Sequence, residues 1–179
     1  STWMPRAATS VATSTWSLPS SKSLRARSRT RWGRSPWMAA ADMNRDGIQD
    51  LVAVHTAPLP IRTAVSIGIA TVRAQGEPII FEAPFSNEIL DAALGDFTSD
   101  RATDLLVLDH STFGPDRLCV APGSGTGAFL DVICTSLPEL GGRIAAGDFN
   151  GDGRVDAAVT HNLTSQVSLW YGRGDGTFT

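Results

Sequence analysis

One short acidic pattern occurs three times in this chain, and little else in the sequence constrains the fold as tightly. The copies are Asp42-x-Asn44-x-Asp46-Gly47-x-x-Asp50, Asp96-x-Thr98-x-Asp100-x-x-x-Asp104 and Asp148-x-Asn150-x-Asp152-Gly153-x-x-Asp156. Each places carboxylates at its first, fifth and ninth positions. Asp, Asn and Gly are also common turn formers, which would account for a single copy. Three copies with the same carboxylate spacing call for a shared chemistry. A hard cation such as Ca²⁺ takes six to eight oxygen ligands in a flexible shell, and these loops offer only oxygen. In the first loop the expected ligands are Asp42, Asn44, Asp46, the backbone carbonyl of Ile48, and Asp50. In the third they are Asp148, Asn150, Asp152, the carbonyl of Arg154, and Asp156.

The middle loop is the weaker candidate, with Asp96, Thr98, Asp100, Ala102 (through its carbonyl) and Asp104. It has a hydroxyl where the others have an amide. It also has Arg101 where they have glycine, at a sharp turn that only glycine enters at little cost. The Arg101 guanidinium could pair with Asp100 or Asp104 and stand in for an ion. A helical EF-hand loop begins in the same way but needs a bidentate Glu at its twelfth position. Those positions hold Ala53, Val107 and Val159. The stretches after the loops, Leu51–Val54, Leu105–Leu108 and Ala157–Thr160, are apolar and often β-branched, as strands are. The loops therefore join strands.

Loop starts at 42, 96 and 148 give periods of 54 and 52 residues. Periods near 50 with several short strands mark β-propeller blades. The reading is an all-β chain of four-stranded antiparallel blades, with units at about 37–88, 89–141 and 142–179. In the second unit the strands are expected near 89–97, 104–109, 117–121 and 129–135. The strand entering each loop is rich in small residues (Ala39–Ala41, Ala92–Gly95, Ala145–Gly147), as expected where blades converge on an axis. About three blades are too few to close a ring. With the third unit stopping at Thr179, exposed edges and an uncovered face are expected to favour association.

A second recurrent feature is a glycine-rich turn closed by Phe: Ala121 to Phe129 and Tyr171 to Phe178. A phosphate-cradling loop would run into a helix, whereas a strand follows here. Arg173-Gly174-Asp175 lies in this turn and is read as part of it rather than as an adhesion motif. The run GDFNGDGRVDAAVTHNLTSQVSLWYGRGDGTF resembles an FG-GAP/VCBS-type repeat, the blade unit of integrin α-chain head propellers and of many secreted bacterial proteins. The resemblance covers roughly residues 37–179. It implies Ca²⁺ in the loops joining the first and second strands of a blade, an extracellular setting, and a non-enzymatic role in binding, adhesion or scaffolding. The partner would be a protein or glycan. The alternative is that the blades belong to a larger secreted enzyme acting on polysaccharide.

Residues 1–40 carry seven basic residues and no acidic one, leaving eight basic against eighteen acidic in the remainder. An acidic body suits cations and argues against nucleic acid as a partner. Residues 1–36, rich in Ser, Thr and Arg, read as a disordered tail, a basic arm, or a segment translated in the wrong frame. No apolar run is long enough to span a membrane, and the start lacks the apolar centre of a signal peptide. Cys119 and Cys134 can pair only if their strands adjoin in register. His55 and His161 follow their loops at equivalent positions, with Asp109 between them, and are read as strand-end residues. Ser124 lacks the strand-to-helix elbow that activates a nucleophile. Asn162-Leu-Thr164 has the spacing of a glycosylation acceptor.

Overall fold

The computed structural model describes residues 37–56, 63–68, 70–71, 74–75, 79–82 and 88–179. These residues form an all-β architecture with no helix among them. The first unit comprises β1 (Trp37–Ala41), β2 (Asp50–Thr56), β3 (Thr63–Gly68) and β6 (Ile79–Glu82), joined in that order. A small hairpin of β4 (Ala70–Thr71) and β5 (Ala74–Gln75) lies between the last two. The second unit is β7 (Glu88–Gly95), β8 (Asp104–His110), β9 (Arg117–Ala121) and β10 (Ile133–Ser136). The third contains β11 (Gly141–Gly147), β12 (Asp156–His161) and β13 (Val167–Trp170). All neighbouring strands run antiparallel, so each sheet is a simple meander.

The strand β8 shows why these sheets stack. Side chains alternate across a strand, yet every residue from Asp104 to Asp109 is buried. Leu105 and Val107 join Cys119, Ala121, Val52, Val54 and Met43 in a core shared with the first unit. Leu106 and Leu108 join Leu118, Val120, Ile144, Ala157, Val159 and Phe178 in a core shared with the third. The second unit is therefore covered on both faces. By contrast β13 alternates between exposed and half-buried residues, because only one of its faces meets another sheet.

The small side chains of the loop-entering strands let β7 and β11 come close. Asp91 on β7 accepts the Ile144 N–H of β11 at 3.2 Å, and Arg143 reaches the same carboxylate at 3.9 Å. Both β7 and β11 slip register near their start, between Ile89 and Asp91 and between Gly141 and Arg143. Added side chains at Gly141 would meet Leu108 at 2.8 Å, so that strand start packs directly on the second unit.

The expected strands of the second unit are found, with one correction. The outermost strand was expected from 129, but β10 begins at Ile133. Phe129 instead makes an isolated bridge to Gly123, and Leu130 N–H bonds the Pro122 carbonyl at 2.8 Å, so the turn is longer. Cys119 and Cys134 stand directly opposite each other on β9 and β10 and form a disulfide. Residues 1–36, including the basic run, lie outside the described residues.

Candidate metal centre

The three loops share one local geometry. In the first, the Asp42 carboxylate accepts the N–H groups of Asp46 (3.1 Å) and Gly47 (2.9 Å), and Asp46 accepts that of Ile48 (2.7 Å). Asn44 accepts the Asp46 N–H and donates its amide to the Asp46 carboxylate. The third loop repeats every bond. Asp148 accepts Asp152 and Gly153, Asp152 accepts Arg154, and Asn150 bonds Asp152 in both directions. These backbone bonds, that from Gly153 foremost, hold the Asp148 carboxyl below the usual carboxylate range. In the middle loop Asp96 accepts Asp100 and Arg101, and Asp100 accepts Ala102. The Thr98 hydroxyl donates to Asp104 at 3.0 Å.

The turn at the sixth position is left-handed in all three, at Gly47 (φ 84°), Arg101 (φ 70°) and Gly153 (φ 83°). A non-glycine residue there carries a cost on the order of 1–2 kcal/mol. The fourth position is left-handed as well, at Arg45 (φ 63°), Ser99 (φ 58°) and Gly151 (φ 79°). Only the third loop has glycine at both turns, and that glycine at 151 was the signal available in the sequence. Arg101 makes no ion pair with Asp100 or Asp104. The guanidinium near this loop belongs to Arg45, which crosses from the first loop to donate to the Asp100 carbonyl at 3.2 Å.

The ninth position plays a part that its spacing alone did not reveal. Asp50, Asp104 and Asp156 are fully buried. One oxygen of each accepts the N–H of the residue after the first Asp: Met43, Phe97 and Phe149, at 2.8, 2.8 and 2.9 Å. The other oxygen of Asp104 and Asp156 accepts Gly123 N–H and Gly172 N–H, both at 2.8 Å. A Cβ at either glycine would lie 2.2 Å from a backbone carbonyl, that of Thr103 or Val155, so only glycine brings its N–H this close. The glycine-rich turn is thus tied to the acidic loop through a buried carboxylate. Oδ1 of Asp50 has no hydrogen-bond partner among the described residues. Burial pushes the Asp50 carboxyl up, and the neighbouring charges of Asp46 and Asp42 add to this against a backbone bond from Met43.

The donor set fits a hard cation in its chemistry. The Asp, Asn and Thr side chains at the ligand positions present oxygen, the first loop's acids crowd one another, and the buried Asp50 Oδ1 has no partner among the described residues. A bound divalent ion would neutralise the repulsion that Asp42 and Asp46 exert on Asp50 in the first loop. As placed, the loop oxygens are directed to backbone N–H groups, and no three acidic or imidazole side chains converge on one point among the described residues.

The other singled-out residues have structural partners. The buried Asp109 carboxylate pairs with the half-buried Arg117 guanidinium. His161 sits with Nε2 2.8 Å from Ser168 Oγ and Nδ1 3.3 Å from the Leu140 carbonyl. Because a carbonyl only accepts, Nδ1 carries a proton, and Ser168 Oγ bridges Nε2 and the Trp170 indole N–H, which it accepts at 2.8 Å. This network knits β11, β12 and β13 together. The side chain of His55 lies outside the described residues. Arg173, Gly174 and Asp175 form part of the turn, where Arg173 N–H bonds the Thr177 carbonyl and Asp175 accepts two bonds from Thr177. Asn162 donates its side-chain amide to the Gly141 carbonyl at 2.9 Å.

Stacked antiparallel meanders with an acidic loop between the first two strands define a β-propeller-like repeat. Residues 96–159 match the family described as an FG-GAP-like repeat, from the middle loop into the second strand of the third unit. No curated protein matches the chain. No helix among the described residues is long and apolar enough to cross a membrane.

Proposed function

We propose that this chain is a calcium-stabilised β-propeller repeat module that works outside the cell by binding a protein or glycan, without catalysing a reaction. The observation that carries this reading is the threefold recurrence of one loop geometry with carboxylates at the same positions. Turn formation alone does not require acids at the first, fifth and ninth positions of every copy. The Cys119–Cys134 disulfide supports an oxidising compartment. The acidic body, with eighteen Asp and Glu in the chain, suits cation-dependent contacts.

The loops starting at Asp42 and Asp148 are the calcium sites, and the Asp96 loop is weak. In that loop the Thr98 hydroxyl is committed to Asp104, Arg101 holds a strained turn, and the Arg45 guanidinium lies beside it. Calorimetric titration with Ca²⁺ tests the ranking. Asp46→Ala and Asp152→Ala each lose one site, while Asp100→Ala leaves the stoichiometry unchanged. A wild-type chain that takes up no Ca²⁺ refutes the proposal, and loss of the tightest site in Asp100→Ala reverses the ranking.

A further inference from the structure

The glycine turn of one unit grips the acidic loop of the unit before it, and the grip falls between the acids. Gly127 N–H in the second unit's turn donates to the Met43 carbonyl in the first unit's loop at 3.1 Å. Gly176 N–H, at the equivalent place in the third unit's turn, donates to the Phe97 carbonyl in the second unit's loop at 3.0 Å. Earlier in each turn, another glycine meets the loop's fourth position. A Cβ at Gly125 would lie 3.2 Å from the Arg45 guanidinium, and one at Gly174 would lie 2.5 Å from Ser99 Oγ. The gripping turn is itself anchored, because Gly123 N–H bonds the buried Asp104 carboxylate of its own unit.

In the first loop the gripped residues, Met43 and Arg45, flank Asn44 and separate it from Asp42 and Asp46, three of the expected ligands. Arg45 is left-handed (φ 63°), a conformation that costs a non-glycine residue on the order of 1–2 kcal/mol. Its guanidinium crosses to the second unit to donate to the Asp100 carbonyl at 3.2 Å, so contacts from outside the loop hold the strained residue in place. The buried Asp50, whose Oδ1 has no partner among the described residues, belongs to this same loop and leaves an acceptor for a cation.

We propose that Gly125 and Gly127 of the second unit are positioning residues for Ca²⁺ in the first unit's loop. The neighbouring unit sets the backbone of the site, and an ion bound there tightens the junction in return. This rests on the reading of the Asp42 loop as a calcium site. A loop ordered before the ion arrives loses less freedom on binding, so the ion binds more tightly than it would to the loop alone. Linkage makes the effect reciprocal. The middle loop is gripped in the same way but is a poor site, so its junction provides the comparison.

The test uses the full chain carrying Asp152→Ala, which leaves the Asp42 loop as the remaining strong site. Amide hydrogen exchange, read residue by residue by NMR in Ca²⁺ and in EDTA, follows the N–H groups of Gly127 and Gly176. Exchange at Gly127 is expected to slow about fivefold or more in Ca²⁺, while Gly176 is unchanged. Calorimetric titration adds Gly125→Ala and Gly174→Ala. Both substitutions place a Cβ on a left-handed glycine (φ 70° and 75°) and carry similar backbone strain, but Gly125 lies against the first loop and Gly174 against the second. Gly125→Ala is expected to weaken Ca²⁺ binding about fivefold or more, and Gly174→Ala to leave it unchanged. Equal protection of the two N–H groups, or equal affinities in the two variants, overturns this proposal while the Asp42 loop stands as a calcium site. An Asp152→Ala chain that takes up no Ca²⁺ overturns it together with the reading of that loop.

Discussion

Replacing Asp104 with Asn isolates the buried tie between loop and turn. The carboxylate accepts four bonds: Gly123 N–H on one oxygen, and Phe97 N–H, Thr98 N–H and the Thr98 hydroxyl on the other, at 2.8 to 3.0 Å. An amide has one oxygen. With that oxygen toward the loop, its NH₂ faces the Gly123 N–H, setting two donors against each other. The bond to a charged acceptor is lost, a contribution of about 1.5–3 kcal/mol, and leaving a buried donor unsatisfied costs about 1–3 kcal/mol more. Against this stands the desolvation of the carboxylate, which pushes the Asp104 carboxyl up and which the neutral amide relieves. The net expectation is a loss of about 2–4 kcal/mol. At about 2–4 °C per kcal/mol for a chain of this size, Tm falls by about 4–16 °C. The assay is thermal unfolding by circular dichroism, run in Ca²⁺ and in EDTA. The drop is expected to persist in EDTA, because the bonds counted are to backbone and hydroxyl groups. A Tm within about 1 °C of wild type, or above it, refutes the account of the ninth position as a tie.

Two further outcomes follow from the same geometry. If extracellular-type sites bind with Kd of about 10⁻⁴–10⁻³ M, roughly 1 mM Ca²⁺ stabilises the chain by about 0.4–1.4 kcal/mol per occupied site, so melting temperatures identical in Ca²⁺ and EDTA would contradict metal-linked folding. The disulfide joins residues 15 apart, which corresponds to about 3 kcal/mol of chain-entropy stabilisation. Cys119→Ala with Cys134→Ala is therefore expected to lower Tm by roughly 6–12 °C, and an unchanged Tm would show the cross-link to be energetically idle.

Much of this architecture was legible in the sequence because it is local. Asp, Asn and Gly at fixed offsets describe a loop whose bonds span two to five residues, and the apolar run after each loop reads directly as β2, β8 and β12. The strained turn at Arg101 was legible for the same reason. What could not be read depends on distant backbone. Gly123 and Gly172 bond carboxylates 19 and 16 residues earlier, and in the sequence they look like ordinary turn glycines. The pairing of Cys119 with Cys134 needed the register of β9 and β10. The late start of β10 followed from Phe129 bridging back to Gly123. The left-handed turns at Arg45 and Ser99 had a counterpart in Gly151, but two of the three copies hid it.

The two-sided burial of β8 bears on how such a chain gains and loses length over generations. Adjacent residues there answer to different neighbours: Leu105 and Val107 to one sheet, Leu106 and Leu108 to the other. An insertion of one residue in this strand would exchange the two sets and spoil both interfaces at once. Duplication of a whole unit keeps each face matched to its neighbour, because the copy brings its own loop and its own glycine turn. The stack therefore accommodates changes of length in complete units, or within the turns outside the strands, at less cost than inside β8.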